Sequence, residues 1–169
     1  EIDLAFITAS VPGVSVHPTI SCYPLMEDDI VLVTNQSNPL AKRTSIDLAD
    51  AKDEVYFLLD SDSGMYQICM DAFQKAGLTP LKIHESRSIE TIIRLVMEGL
   101  GVSFLTWRLA KSFTLPEIAI IQLNHPFKRT TALGVRDQPH LTVPVKAFVK
   151  HALEWKTSMD ANETKGIIS

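Results

Sequence analysis

The chain contains few of the residues that build metal centres and disulfide frameworks. Two of its 169 residues are cysteine, Cys22 and Cys69, and they match neither the spacing of zinc ligands nor a disulfide framework. The histidines form no HExxH pair and are scattered along the chain at His17, His84, His125, His140 and His151. We therefore expect no metal ion or other cofactor, and the low cysteine content fits a reducing cytoplasm.

The chain also has no excess of positive charge and no long apolar run. Lysine and arginine number 16 against 20 aspartate and glutamate residues, which gives a net charge of −4. This balance argues against direct binding of nucleic acid phosphates by this segment. No apolar stretch is long enough to span a membrane, and the first residues do not resemble a signal peptide. We expect no direct contact with DNA or with a membrane.

The common signatures of catalysis are missing as well. No serine lies in a G-x-S-x-G elbow, and the sequence has no glycine-rich phosphate loop. An enzyme needs an acid, a base or a nucleophile in its cleft, whereas the polar candidates described below are mostly hydroxyl groups. The sequence therefore favours a binding protein over an enzyme.

The most informative stretch of the chain is residues 86–106. Ser88 is a suitable helix N-cap, and Glu90 would complement the helix dipole in the first turn. Apolar residues follow at helical spacing on one face, at Ile89, Ile92, Ile93, Val96, Met97 and Leu100. The pattern predicts an amphipathic helix that packs its apolar face against a sheet.

Strands and helices alternate along the chain. The helix just described is expected to end at Gly99 and Gly101, because glycine adopts positive φ without steric cost, and a buried strand is expected at 102–106. Other strands are predicted at 1–7, 29–35, 55–59, 81–85, 118–123 and 131–136, and other helices at 46–51, 65–76 and 145–153. The alternation predicts an α/β fold with a mainly parallel sheet covered by helices on both faces.

The two ends of the chain differ in character. Residues 1–7 resemble the interior of a strand with no preceding turn, so we expect the chain to be a fragment of a longer protein. Residues 8–18 are rich in Thr, Ser, Pro and Gly and are predicted to form a loop. Residues 156–169 are polar and are predicted to form a C-terminal tail.

Two loops, residues 60–64 and 86–91, share a chemical character. Each follows a predicted strand, opens a helix and offers serine hydroxyls beside the unpaired amides of a helix start. If the strands are neighbours, both helix starts point to one crevice that suits a small anion or a polar organic molecule. Ordinary helix capping is the alternative for each loop, and Asp60 and Asp62 would repel an anion. Arg87, Arg94 and Arg108 could meet a carboxylate, although solvated arginines at helix edges are commoner.

The order of these segments resembles the effector-binding domain of LysR-type transcriptional regulators. The matching segments are EIDLAFI at 1–7, PLMEDDIVLVTNQSNPLAKR at 24–43, MDAFQKAG at 70–77 and, as the best match, SIETIIRLVMEGLGVSFL at 88–105. Two residues depart from the family pattern, since Asn38 stands where histidine often precedes Pro-Leu-Ala, and Thr106 replaces a proline. The resemblance implies a two-lobed α/β fold of the type II periplasmic-binding-protein kind, truncated at its N-terminus.

The resemblance also implies how the chain is divided and where it binds its ligand. Residues 25–124 would form a complete lobe II, residues 1–24 and 125–155 a partial lobe I, and residues 156–169 the tail. An effector would bind in the cleft between the lobes. Carried over by position, the cleft would be lined by Thr8, Ala9, Ser63, Gly64, Ser86, Ser88, Ile89, Thr91 and Thr106.

The implied function is that of a ligand-sensing regulatory domain in the cytoplasm, with a small organic or inorganic anion as the expected effector. The family's DNA-binding domain would lie upstream of this chain, and the full-length protein would assemble as a homodimer or homotetramer. An extracytoplasmic solute-binding protein of similar fold is the alternative, and an enzyme is a third hypothesis. The effector stays open among amino acids, aromatic acids, metabolic carboxylates and inorganic anions.

Overall fold

The computed structural model describes residues 2–9, 19–113, 115–136 and 141–166. The chain divides into two compact units, of which unit 1 comprises residues 1–27 and 130–169 and unit 2 comprises residues 28–129. The chain enters unit 2 within one long strand and leaves it within another. The equivalence of these units to lobes I and II stays a prediction.

Within the described ranges the chain alternates between strands and helices. The strands are β1 (Leu4–Ala9), β2 (Ile20–Asn35), β3 (Ser45–Ile46), β4 (Val55–Leu59), β5 (Lys82–Ser86), β6 (Ser103–Thr106), β7 (Ile118–Leu123) and β8 (Lys128–Arg136). The α-helices are α1 (Gly64–Lys75), α2 (Ile89–Met97), α3 (Trp107–Ser112) and α4 (Val143–Gly166), and short 3-10 helices lie at Pro39–Lys42 and Leu48–Ala51. The predicted α/β fold class is confirmed.

The sheet of unit 2 is mixed, so the prediction of a mainly parallel sheet is wrong. β2 runs antiparallel to both β6 and β7, whereas β3 is parallel to β7 and β4 is parallel to β5. β2 crosses from unit 1 into this unit as one continuous strand, so no helical crossover within unit 2 sets its direction. Antiparallel pairs need no such crossover. Where α1 links the consecutive strands β4 and β5, the predicted parallel pairing does occur.

The core of unit 2 is built where its helices cover the strands. Tyr56, Phe73 and Phe104 form a cluster of rings whose centroids lie 5.0 to 5.9 Å apart. From α2, Ile92 and Val96 are almost completely removed from solvent. Burial of each such side chain contributes about 1.5–3 kcal/mol to folding. Ile92, Ile93 and Val96 of α2 therefore lie on the buried face that the hydrophobic periodicity predicts.

The end of α2 differs from its prediction at two residues. The helix ends at Met97, and Gly99 follows with a φ of +71°. Leu100, predicted to lie on the buried face, is 55% exposed because it lies beyond the helix end. Gly101 does not adopt positive φ, and its role is different: a Cβ at this position would lie 2.2 Å from the carbonyl oxygen of Val55. Glycine is required there for the close approach of the chain to β4.

Two elements are longer than the sequence predicts. β2 begins at Ile20 instead of residue 29. Its first part contains Pro24, and because proline is unusual inside a strand, the sequence pattern does not indicate a strand there. α4 continues to Gly166 and so includes much of the segment predicted as a tail from residue 156. That segment contains no proline, and its lysine, methionine, alanine and glutamate residues are good helix formers.

Unit 1 has a smaller core of its own. β1 pairs antiparallel with β8, from Leu4 opposite Val135 to Ala9 opposite Thr130. Leu133 and Val135 of β8 pack with Val145 and Ala152 of α4. The amphipathic helix predicted at 145–153 is therefore present as the first half of α4.

Candidate functional site

β4 and β5 bring the two candidate loops to the same edge of unit 2. The strands are parallel neighbours, with Val55 opposite Lys82 and Leu59 opposite Ser86. Because parallel strands end at the same edge, the loop before α1 and the loop before α2 both begin there. The condition on which the sequence prediction rested, that these two strands are neighbours, is met.

The first of these loops, residues 60–63, leads into α1. Ser63 is the N-cap, with φ −82° and ψ 139°, and its Oγ accepts a hydrogen bond from the amide of Tyr66 at 3.0 Å. The amides of Gly64 and Met65 belong to the first turn, where a helix supplies no carbonyl partner of its own. The helix start therefore combines a half-buried hydroxyl with amide donors and the positive end of the helix dipole.

The second loop, residues 86–88, leads into α2. Ser88 is the N-cap, as predicted, and its Oγ accepts from the amide of Thr91 at 3.2 Å. The Oγ of Ser86 accepts from the amide of Ser88 at 3.1 Å and donates to the carbonyl of Ser88 at 3.3 Å. Helix capping, the alternative weighed for these serines, does occur at both loops. A capping hydroxyl still carries its own proton, so Ser63 and Ser88 can also donate.

Two bonds between the loops are absent from the sequence prediction. Arg87 Nε donates to Asp60 Oδ2 at 2.8 Å, and the amide of Ser61 donates to Glu85 Oε2 at 2.8 Å. A guanidinium nitrogen of Arg87 also lies 3.9 Å from Asp62 Oδ2. Opposite charges in loops that follow consecutive strands are a signal from which the first of these bonds could have been predicted.

The charge at this edge is more negative than an anion site would favour. Asp60, Asp62 and Glu85 carry three carboxylates, and Arg87 supplies a single cation among these four residues. Arg87 offsets the charge of Asp60 most directly, because the two side chains are hydrogen-bonded. Asp62 is 86% exposed, so water and salt screen its effect on a ligand.

The remaining candidates in unit 2 have different surroundings. Ile89 is half-buried and packs beside Ile93 and Phe57, so it anchors the start of α2. Thr91 is exposed in the first turn of the same helix. Thr106 is buried at the end of β6, where it pairs with Ile30.

Thr106 is the last residue of a strand that points in the same direction as β4. Val102, just before β6, forms a parallel bridge with Tyr56, and its amide donates to the carbonyl of Val55 at 2.8 Å. Since the chain from Val102 to Thr106 continues along the direction of β4, Thr106 ends on the same side as Leu59 and Ser86. All seven candidates of unit 2 therefore lie at or just after the carboxyl ends of strands with one direction.

Thr8 and Ala9 belong to unit 1. They lie at the end of β1, where they pair with Thr131 and Thr130 of β8. The prediction of a loop at 8–18 is wrong for Thr8 and Ala9, which are in β1, and residues 10–18 lie outside the described residues. The part that Thr8 and Ala9 play in ligand binding stays a prediction.

The strongly perturbed titratable groups of unit 2 are in its core. Burial raises the pKa of the Cys69 thiol to about 12. Burial also raises the pKa of Tyr56, whose hydroxyl donates to the carbonyl of Ala51 at 2.8 Å. These side chains stay neutral and serve packing. Across the described ranges no three His, Cys, Asp or Glu side chains are grouped to hold a metal ion.

Among the same residues, no helix combines the length and the apolar character needed to cross a lipid bilayer.

Comparison with known protein families and curated proteins gives a consistent result. A family model described as the LysR substrate binding domain matches residues 1–157. A probable RuBisCO transcriptional regulator of Emiliania huxleyi is 27% identical over 159 residues, which cover 91% of this chain and 50% of that protein. A probable RuBisCO transcriptional regulator of Synechocystis is 26% identical over 167 residues, which cover 95% of this chain and 48% of that protein. The chain spans about half the length of the curated relatives it matches.

Solved structures with similar folds include two domains that contain a small molecule. The effector binding domain of QuiR in complex with shikimate is 26% identical, with a TM-score of 0.78 over 92% of this chain and 72% of that chain. The BenM effector binding domain with its effector benzoate is 22% identical, with a TM-score of 0.78 over 96% of this chain and 71% of that chain.

Proposed function

Because the chain belongs to the LysR substrate-binding domain family, we propose that it is the ligand-sensing domain of a DNA-binding transcriptional regulator. The family and its curated relatives are transcriptional regulators and not enzymes. The fold is the type II periplasmic-binding-protein-like fold of their effector-binding domains, as the sequence resemblance implied. These relatives do not favour the alternative of an extracytoplasmic solute-binding protein.

The observation that carries this proposal is the parallel pairing of β4 and β5. It places two serine-capped helix starts, at Ser63 and Ser88, at one edge of unit 2. Each start offers hydroxyl and amide donors, and each carries the positive end of a helix dipole. A small polar molecule that accepts hydrogen bonds from both starts is held more strongly than one that meets a single start.

The proposed effector site in unit 2 consists of the two helix starts and the end of β6. Its residues are Ser63, Gly64, Ser86, Ser88, Ile89, Thr91 and Thr106. Thr8 and Ala9 of unit 1 are added on the strength of the sequence resemblance alone. In this site the hydroxyls and amides donate to the ligand, and the half-buried Ile89 supplies an apolar contact.

The proposed effector is a small anion, for which a carboxylic acid such as shikimate, found with QuiR, is a suitable starting point. Amide donors at two helix starts favour negative charge. Asp60 and Asp62 oppose it, and Arg87 reduces that opposition through its bond to Asp60. An effector with a single carboxylate and several hydroxyls suits this balance better than a polyanion.

In the proposed mechanism the effector shifts a pre-existing equilibrium of a full-length homo-oligomer on DNA. A ligand changes such an equilibrium only if it binds one arrangement better than the other. DNA would be bound by a part of the protein outside this chain, in agreement with the net charge of −4. The proposed location is the cytoplasm.

The proposal is tested by thermal unfolding of the full-length protein with shikimate, benzoate, inorganic sulfate and amino acids. We expect at least one of these compounds to raise the Tm, because a ligand that binds only the folded state stabilises it. In the Ser88→Ala variant the affinity for that compound should fall about tenfold, or about 1.4 kcal/mol.

A matched control is Ser112→Ala, since the Ser112 hydroxyl is exposed on α3 and bonds locally to the carbonyl of Leu109. This variant should keep the affinity of the unchanged protein. The same fall in both variants, or full affinity in Ser88→Ala, would contradict a role for Ser88 in effector binding.

A further inference from the structure

The bonds between the two candidate loops form a connected set. We name Asp60, Ser61, Glu85 and Arg87 the loop clasp. From the β5 side, the Arg87 guanidinium holds the Asp60 carboxylate and the Glu85 carboxylate holds the Ser61 amide, each at 2.8 Å. From the α1 side, Gln67 Nε2 donates to the carbonyl of Ser61 at 3.0 Å. Ser61 is thus held at both its amide and its carbonyl.

We infer that Glu85 and Arg87 are positioning residues that hold the loop before α1 in a fixed place relative to the start of α2. The inference rests on the proposed function, because the distance between the two helix starts matters only if one ligand meets both. Neither residue is among the proposed effector contacts. They act through Asp60 and Ser61, which lie next to the N-cap Ser63.

Because the loop clasp is exposed, its effect on the position of the loop can be measured apart from its effect on the stability of the protein. Arg87 is 83% exposed, and an ion pair in that environment adds little to the free energy of unfolding. A local opening of the loop, in contrast, breaks both clasp bonds without unfolding the core. Loss of the clasp should therefore loosen residues 60–63 while the Tm of the protein hardly changes.

A second exposed ion pair in unit 2 provides a matched control. Arg43 lies 2.9 Å from Asp50, with side chains 54% and 35% exposed. This pair has similar geometry to the bond between Arg87 and Asp60, but it does not join the two helix starts. Removal of its arginine should affect surface charge in the same way and leave the candidate loops unchanged.

The test measures hydrogen exchange in the 169-residue chain and in the variants Arg87→Gln, Glu85→Ala and Arg43→Gln. We expect exchange of the Ser61 amide to rise about fivefold in Arg87→Gln, although Arg87 does not bond to that amide. Arg43→Gln should leave this rate unchanged, and Arg87→Lys should restore part of the protection. Equal rates at Ser61 in Arg87→Gln and in the unchanged chain, or an equal rise in Arg43→Gln, would overturn the inference.

A titration with inorganic sulfate separates positioning from charge. Glu85→Ala removes a negative charge, so electrostatics alone would strengthen binding of this anion. Loss of positioning predicts the opposite, a weaker sulfate affinity measured from the amide shifts of Gly64 and Ile89. Stronger binding in Glu85→Ala would contradict the positioning role. No sulfate-dependent shift in the unchanged chain would count against the proposed anion effector, while the exchange rates would still decide the role of the clasp.

Discussion

The starts of α1 and α2 have the same cap but are held in different ways. At both, a serine Oγ accepts from the amide three residues further on, at 3.0 Å for Ser63 and 3.2 Å for Ser88. The start of α2 is held by its own loop, through the hydroxyl of Ser86. The loop before α1 is also bonded to Glu85, at the end of β5, and to Arg87 of the other loop. Identical caps therefore do not imply that two helix starts are equally independent of their surroundings.

The two helices also differ in how they are packed. α1 inserts Phe73 into the aromatic cluster with Tyr56 and Phe104. α2 places Ile92 and Val96 beside Phe57, and Ile93 beside Val31. α1 thus buries one large ring together with Ile68 and Cys69, whereas the buried side chains of α2 are all aliphatic. This difference predicts that single substitutions affect the two helices unequally.

The largest effect is expected from Phe73→Ala. Phe73 is 1% exposed, and its removal leaves a cavity between two other rings, so the free energy of unfolding should fall by about 4 kcal/mol. Ile92→Ala, at an equally buried position of α2, should cost about 3 kcal/mol. Urea denaturation measures both values. A smaller loss for Phe73→Ala than for Ile92→Ala would contradict the described difference in packing.

The next effect concerns the segments that follow the helices. Gly101→Ala would place a Cβ 2.2 Å from the carbonyl oxygen of Val55, and the required shift of β4 should cost about 3 kcal/mol. Gly77→Ala after α1 meets no atom within 4 Å, although its φ is +66°. It should cost only about 1–2 kcal/mol, from backbone strain. If urea denaturation gave the same loss of unfolding free energy for both variants, the close approach to β4 would not explain why glycine is required at position 101.

A smaller effect is expected at the caps. Ser63→Ala and Ser88→Ala should each lower the free energy of unfolding by about 1 kcal/mol, because each leaves one helix amide without its partner. Ser86→Ala should raise hydrogen exchange at the start of α2 and leave the start of α1 unchanged. Increased exchange at both starts after Ser86→Ala would show that α2 is not held by its own loop alone.

The sequence predicted these helix starts because their signals are local. A serine, a following acidic residue and apolar residues at helical spacing all lie within one segment, as at Ser88 to Val96. Gly99 was predictable for the same reason, since a helix end needs positive φ at one residue. The fold itself was predicted from the family resemblance, because the matching segments occur along this chain in the same order as in the family.

The parts that could not be predicted depend on partners distant in sequence. The bond between Arg87 and Asp60 joins residues 27 positions apart, and it requires knowledge that β4 and β5 are neighbours. The antiparallel direction of β2 is set by its pairing with β6 and β7, which lie about 70 to 90 residues further along the chain. Gly101 was assigned to helix termination because the sequence does not show how closely Val55 approaches.

The smallest effect concerns the reactivity of Cys69, a buried thiol on the inner face of α1. Burial raises the pKa of Cys69 to about 12, so this thiol stays protonated and inert at pH 8. Unfolding restores its ordinary pKa, and the stabilising contribution of the neutral thiol is present at pH 8 and is lost as the pH rises toward about 12. A thiol reagent should therefore modify Cys22 before Cys69 in the folded chain. Equal reaction of both thiols would indicate that α1 opens more readily than its packing implies.

The central claim is that one small ligand meets the starts of both α1 and α2. The most direct measurement is a titration of the chain with the acid that stabilises the full-length protein, followed through the amide chemical shifts of Gly64 and Ile89. Both amides are expected to shift with a single dissociation constant. Shifts at only one helix start, or at neither while other residues respond, would contradict it.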